Sequence, residues 1–341
     1  MLKLVSVQPV FRPGSAPFAS CHASHLALLP DGGAFVVWFG GSREGADDTA
    51  IWGARMTDGG RWGEIRKLAG DGMEPHWNPV LMVDRNGELL LFYKVGRQIR
   101  TWRTMVKRSS DCGATWSEAE ELVPGGRGGR GPVRNKVIVL SDGAWLAPAS
   151  REDGIWTAFV DRSEDGGRTW ERSADIAIEG SGDFRIEKVE SDIQVSEQSF
   201  LGRGVIQPTL WESAPGRVHM LLRSSEGFIY RSDSDDGGRT WTGAYPTSLP
   251  NNNSGIDVVR MADGTLILCY NPVGKNWGPR TPLALACSRD NGGSWSEPLI
   301  LEQGEGEFSY PAILAKGDDI FLTYTWKRET ILFRHFRYIP R

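Results

Sequence analysis

Ser109-Ser110-Asp111-Cys112-Gly113-Ala114-Thr115-Trp116 is one of four error-free copies of the pattern Ser-x-Asp-x-Gly-x-x-Trp. The others are Ser163/Asp165/Gly167/Trp170, Ser234/Asp236/Gly238/Trp241 and Ser288/Asp290/Gly292/Trp295. A fifth, shortened copy runs Asp58, Gly60, Trp62, with Met56 where the serine belongs. Short Asp and Ser side chains can bond back to a turn's own backbone, Gly supplies the positive φ, and Trp plugs the turn onto a sheet. One active site does not need four identical aspartates. These copies therefore read as folding elements rather than as catalytic groups or calcium ligands.

Working outward, a second repeat appears: a turn ending in Gly or Asp, then an apolar run. Gly32, Gly87, Gly143, Gly216, Gly264 and Gly317 each precede such a run, as in Leu89 to Tyr93 or Leu266 to Tyr270. Each is preceded by another short apolar run, and the first five are followed by the Ser/Asp turn or its remnant. The unit is strand, turn, strand, loop, strand, turn, strand. Six such units predict an all-β chain: a six-bladed β-propeller with four-stranded antiparallel blades, one domain over 1–341. The sixth unit ends at Ile331 to Phe336 without a fourth strand, whereas Leu2 to Val7 is an orphan strand, so the N-terminal strand is expected to close the ring. Residues 171–205, a polar stretch with no strand of its own, are expected to be a top-face insertion loop.

Composition agrees with that architecture. Among 341 residues, 42 are Gly and 14 are Trp, which favours tight turns and aromatic packing over long helices. A net charge of -4 gives no global field for a polyanion, so nucleic acid is not an expected partner. The Gly125–Gly131 run, with Arg127 and Arg130, is too short and isolated for RNA binding and reads as a flexible rim. No apolar run approaches the roughly 18 residues of a membrane span. Met1 to Val7 alternates like a strand rather than a signal peptide, so the chain reads as cytoplasmic. Cys21, Cys112, Cys269 and Cys287 lack CxxC spacing and read as reduced thiols, with Cys269 and Cys287 candidates to face each other across one blade.

In an up-and-down blade, the glycine turns and the Ser/Asp turns share the bottom face. The top collects the starts of the innermost strands, with His22, Asn78, Arg134, Gln207 and Tyr310. It also collects the second-to-third loops, with Arg43, Glu44, Asp47, Asp48, Lys94, Arg223, Asn271 and Arg280. Polar groups gathered at that mouth are the candidate site. Arg223 and Arg280 suit a bidentate carboxylate clamp. Trp77, Trp102, Trp156 and Trp277 lie in or beside the top loops, where they could stack on sugar rings or pack the blades. Neither His22 nor His76 shows metal-ligand spacing, and no metal or cofactor is expected.

Ser/Asp turns of this kind, known as Asp-boxes, on a six-bladed propeller resemble the sialidase (neuraminidase) superfamily and its BNR-repeat relatives, over nearly the whole chain. The spacing around His22-Ala23-Ser24, Trp38-Phe39-Gly40-Gly41, Trp77-Asn78-Pro79 and Tyr310-Pro311-Ala312 is similar to the BNR-repeat subgroup. In sialidases three arginines hold the substrate carboxylate, a tyrosine paired with a glutamate is the nucleophile, and an aspartate is the acid/base. The resemblance implies that Arg223 and Arg280 match the second and third arginines, Tyr310 the nucleophile, and Asp48 the acid/base, with Asp47 and Glu44 as rivals. Two positions depart from the pattern: His22 stands where the first arginine belongs, and Gln207 where the glutamate partner of the tyrosine belongs. Gln207 cannot act as a base for a phenol whose ordinary pKa is about 10.

Three functions follow. The first is a sialidase-like exo-glycosidase acting on a terminal acidic sugar of the sialic or uronic type. In it Arg223, Arg280 and His22 hold the carboxylate, Asp48 protonates the leaving oxygen, and Asp257 or Glu212 substitutes as base for Tyr310. The remaining polar groups of the mouth, Gln207, Arg43, Glu44, Asn78, Lys94, Arg134 and Asn271, would complete the binding of an acidic mono- or oligosaccharide. The second is a uronate-directed lyase, in which Tyr310 or His22 removes the α-proton. The third is a non-catalytic carbohydrate-binding propeller.

Overall fold

A computed structural model describes all residues except 58, 192, 194–196 and 341. Asp58 of the shortened turn lies outside the described residues; its neighbours Met56 and Trp62 form an isolated bridge. Among the described residues there is no α-helix, and antiparallel sheets arranged as a propeller-like ring make up the molecule.

Four of the sheets are separate four-stranded blades. One runs Ser20–Leu28, Ala34–Gly41, Ala50–Met56, Arg66–Ala69; a second runs His76–Val83, Leu89–Val95, Arg103–Ser109, Glu120–Glu121. A third runs Asp257–Arg260, Leu266–Tyr270, Leu283–Ser288, Leu299–Glu302. The fourth joins the two ends of the chain, because Leu2–Pro9 pairs antiparallel with Thr330–Tyr338, from Leu2 opposite Tyr338 to Pro9 opposite Leu332. The expectation of six separate blades needs correction at the remaining sheet. There the third and fourth sequence units are fused into one eight-stranded sheet, because Ile155 and Trp156 pair in parallel with Arg203 and Gly204. The 171–205 stretch also differs from expectation: Glu171–Arg172 pairs with Asp161 and Arg162, and Ile176 and Ile178 bridge to Ala158 and Ala244.

Why these segments form strands is plain from their burial. Leu89–Val95 is buried on both faces, since each side of the sheet meets a neighbouring sheet, and a short continuous apolar run satisfies both. Leu89, Leu91 and Tyr93 pack with Phe35 and Val37, whereas Leu90 and Phe92 pack with Trp145 and Ala147. The same alternation joins the two ends of the chain, where Val36 and Trp38 pack with Ile331 and Phe333.

The Ser/Asp turns share one geometry. In all four, the serine hydroxyl donates to the aspartate at 2.8 Å. That hydroxyl also accepts from the glycine N–H at 2.8–2.9 Å. The aspartate's other bonds, to Thr115 in the first copy, pull Asp111 down to about 2, chiefly through the threonine hydroxyl. Cys269 and Cys287 do not face each other: Cys269 is opposite Leu285 and Cys287 opposite Ile267.

Candidate active site

The site begins with a recurrent break in the innermost strands. Ala23, Asn78, Gln207 and Tyr310 have φ of 55°, 45°, 53° and 54°. At each of them the register with the next strand shifts, as between Trp77 and Val80 or between Ser309 and Ala312. Left-handed backbone costs a non-glycine residue about 1–2 kcal/mol. A bulge of this kind re-aims a side chain, and here it brings Asn78, Gln207 and Tyr310, with His22 beside Ala23, to one cavity.

Tyr310 is its centre. The guanidinium carbons of Arg280, Arg134 and Arg223 stand 5.1, 5.2 and 5.6 Å from its ring centroid. The His22 ring is 4.1 Å away. Arg223 Nη1 donates to the phenolic oxygen at 2.5 Å and to Gln207 Oε1 at 3.0 Å, and Arg223 Nε donates to Asn253 at 2.7 Å. All three arginines are buried, with 1–3% of their surface exposed. Arg134 donates Nη2 to the Pro311 carbonyl, yet its Nε and Nη1, and Nη2 of Arg280, are buried with no hydrogen-bond partner among the described residues. Burial pushes Arg134 down to about 10, with Asp257 and Tyr310 opposing. His22 is held well below the ordinary imidazole range by burial and by Arg328 nearby, so it is neutral.

Beside this cavity lies a second, lined by Arg280, Glu307 and Arg328 and sharing Trp277 with the first. Glu307 accepts from Arg280 Nη1 at 2.7 Å, Arg328 Nε at 2.8 Å and Ser309 at 2.6 Å; Arg328 also donates to Glu44 at 2.6 Å. Although burial opposes it, the Arg280 and Arg328 guanidinium groups hold the Glu307 carboxyl well below the ordinary range. Glu152 has the opposite environment. It lines the Tyr310 cavity, accepts from Ser150 at 2.8 Å and from Gln207 Nε2 at 3.2 Å, and is pushed up by burial against the pull of Arg223.

The structure thus brings together His22, Glu44, Asn78, Gln207, Arg223 and Tyr310 at one cavity, with Arg134 beneath the tyrosine ring and Arg280 in the adjoining cleft. The other residues singled out from the sequence lie elsewhere. Asp48 is exposed and caps its own loop, accepting from the Ser42 N–H and hydroxyl. Asp47 is exposed and forms a bidentate pair with Arg97. Arg43 is exposed, and its carbonyl accepts from Thr49. Lys94 is fully buried, donates to Thr104 at 2.7 Å and to the Arg130 carbonyl at 2.6 Å, and is pushed down to about 7 by burial. Asn271 ties two strands by donating to the Pro282 and Phe308 carbonyls. Neither suggested base touches Tyr310: Asp257 is bonded to Lys136, Thr209 and the Ile313 N–H, and Glu212 to Ser141 and the Gly216 N–H.

Sequence reasoning passed over Glu152, Glu307 and Arg328. Glu152 follows Trp145–Arg151, the third unit's equivalent of the loops that contributed Lys94 and Arg223, and that position alone marked it. The aromatic wall is Trp77, Trp102, Trp156 and Trp277, all buried. The 171–205 stretch supplies part of this wall, since Phe200 packs on Trp277 at 5.0 Å and Ser199 faces the cavity.

A family model described as a BNR repeat-like domain matches residues 32–322. No curated protein matches the chain in sequence. Among solved structures, the Hadza microbial sialidase Hz136 is similar with a TM-score of 0.75 at 18% identity, covering 96% of this chain and 68% of its own. A protein of unknown function from Dyadobacter fermentans gives 0.74 at 14% identity, covering 99% of both chains. The sialidase of Trypanosoma rangeli gives 0.69 at 14% identity, with 97% of this chain covering 59% of that one. At these identities the likeness is one of fold.

Proposed function

Since the chain belongs to the BNR repeat-like domain family and shares its fold with sialidases, we propose that it is a glycoside hydrolase taking a terminal acidic sugar into the cavity above Tyr310. We read the eight-stranded sheet as two fused blades of a single six-bladed domain, in which Leu2–Pro9 is the outer strand of the last blade.

One observation carries the proposal: three buried arginines surround one tyrosine, and N–H groups of two of them lack partners. A buried guanidinium with unmet donors is costly, and a carboxylate that accepts from it removes the cost. The aromatic wall suits the apolar faces of a sugar ring. With the carboxylate on the arginines, the Tyr310 oxygen, which accepts from Arg223, can turn its lone pair toward an oxocarbenium-like centre.

Gln207 in place of a carboxylate next to Tyr310 favours a second reading, recognition of the same sugar without turnover or with elimination instead of hydrolysis. Calorimetric titration with N-acetylneuraminate and glucuronate, against their methyl esters, tests the clamp shared by both. The acids are expected to bind at least about tenfold more tightly than the esters, as a charge-assisted hydrogen bond is worth about 1.5–3 kcal/mol. Equal affinity for acid and ester would contradict it.

A further inference from the structure

Resting on the glycosidase reading, we infer that Glu152 is the group that hands a proton to the departing glycosidic oxygen. Glu152 and Tyr310 are the two ends of one hydrogen-bonded chain within the cavity. Glu152 Oε1 accepts from Gln207 Nε2 at 3.2 Å, Gln207 Oε1 accepts from Arg223 Nη1 at 3.0 Å, and the same Nη1 donates to Tyr310 at 2.5 Å. An amide in the middle donates at one end and accepts at the other. A glutamate at 207 would have no N–H to donate to Glu152. The glutamine that departs from the sialidase pattern is thereby explained as the link that holds a carboxyl group in place.

The other carboxyl groups around the mouth are committed elsewhere. Asp48 is bonded to Ser42, Asp47 to Arg97, Glu44 to Arg328, and Glu307 to Arg280 and Arg328. Glu307 is held in its charged form by those arginines and has no proton to give. Glu152 is bonded to neutral groups, Ser150 and Gln207, and burial raises its carboxyl, which favours the protonated form. The charged groups that act on it are Arg223, from the strand Arg217–Ser224, and Lys94, from Leu89–Val95.

The step balances. Glu152 gives its proton to the glycosidic oxygen as the carbon–oxygen bond breaks, and the bonding pair leaves with that oxygen. Water adds hydroxide to the anomeric carbon and returns its other proton to the Glu152 carboxylate. One glycoside and one water become the free sugar and an alcohol.

The test compares Glu152→Gln with the native chain on alkyl and 4-nitrophenyl glycosides of N-acetylneuraminic and glucuronic acids. Alkyl glycosides need a proton on the leaving oxygen and are expected to lose about 10²–10⁴-fold in kcat/KM, which reads the bond-breaking step. Nitrophenyl glycosides, whose leaving group departs as an anion, are expected to lose less than about tenfold in kcat/KM, which also certifies the fold of the variant, while their kcat falls further because the water step has lost its proton acceptor. The alkaline limb of the native kcat/KM profile on alkyl glycosides, where Glu152 loses its proton, disappears in the variant. Glu152→Ser carries the same comparison if the glutamine variant does not fold. Equal losses in kcat/KM on both substrates, or no loss on the alkyl glycosides, would overturn the role of Glu152 alone. A native chain that binds the acidic sugars and turns over neither glycoside would overturn the hydrolase reading, and this inference with it.

Discussion

Tyr310 carries the site because its backbone is left-handed. At φ 54° the ring leaves the ladder and lies among His22, Arg134, Arg223 and Arg280. Tyr310→Phe keeps the ring and removes only the oxygen that accepts from Arg223. Its kcat on an acidic glycoside is expected to fall about 10²-fold or more, with the affinity for the free sugar changed far less. Steady-state kinetics beside calorimetry separate the two. Glycine at the Ser/Asp turns has a different reason. A Cβ on Gly113, φ 82°, would lie 2.3 Å from the Phe35 ring, whereas one on Gly143, φ 88°, would meet nothing within 4 Å. Both alanine variants take the left-handed penalty of about 1–2 kcal/mol. Gly113→Ala adds an overpacking cost of about 1–3 kcal/mol, so in urea unfolding it is expected to be the less stable of the two.

The Ser/Asp turn is an element whose bonds all lie within a few residues, and it was therefore fully legible in the sequence: Ser109, Asp111 and Gly113 meet one another as the pattern requires. Its chemistry also sets an acid limit. Asp111 and Asp236 are both held at about 2, Asp111 by its threonine and serine bonds, and Asp236 by the same kinds of bond against the opposing effect of burial. A carboxyl depressed in the folded state contributes stability above its unfolded value of about 3.9, and that contribution is lost as pH falls through the folded value. Melting temperature is expected to fall between about pH 4 and pH 2, and less steeply in Asp236→Asn; thermal melts across that range check it. The upper loops were legible only in part. His22, Gln207, Arg223 and Tyr310 fall at positions that repeat from unit to unit, so the repeat itself exposes them. Glu307 and Arg328 are defined by partners far away in the chain, such as Arg328 and Glu44, 284 residues apart, and no local pattern encodes that pairing. Blade separation was overread for the same reason. The parallel pairing of Ile155 and Trp156 with Arg203 and Gly204 depends on how the 171–205 stretch returns, which composition does not specify.

At the scale of the molecule, the first strand is the outer partner of the last, with Leu2 through Pro9 paired to Tyr338 through Leu332. Removing residues 1–9 leaves Thr330–Tyr338 as an open edge, which invites pairing with another chain. A lowered melting temperature and a shift to larger species in size-exclusion chromatography are the expected results. The rest of the molecule serves to hold a cationic floor under an aromatic wall, the place proposed to hydrolyse an acidic glycoside. Mass spectrometry of the products formed from sialosides and uronate-capped oligosaccharides tests that proposal most directly, with Tyr310→Phe and Arg223→Ala beside the native chain. Release of a free acidic sugar that has gained one water, lost in both variants, is the expected result. An unsaturated product lighter by one water, or no product from any of these substrates, would contradict it.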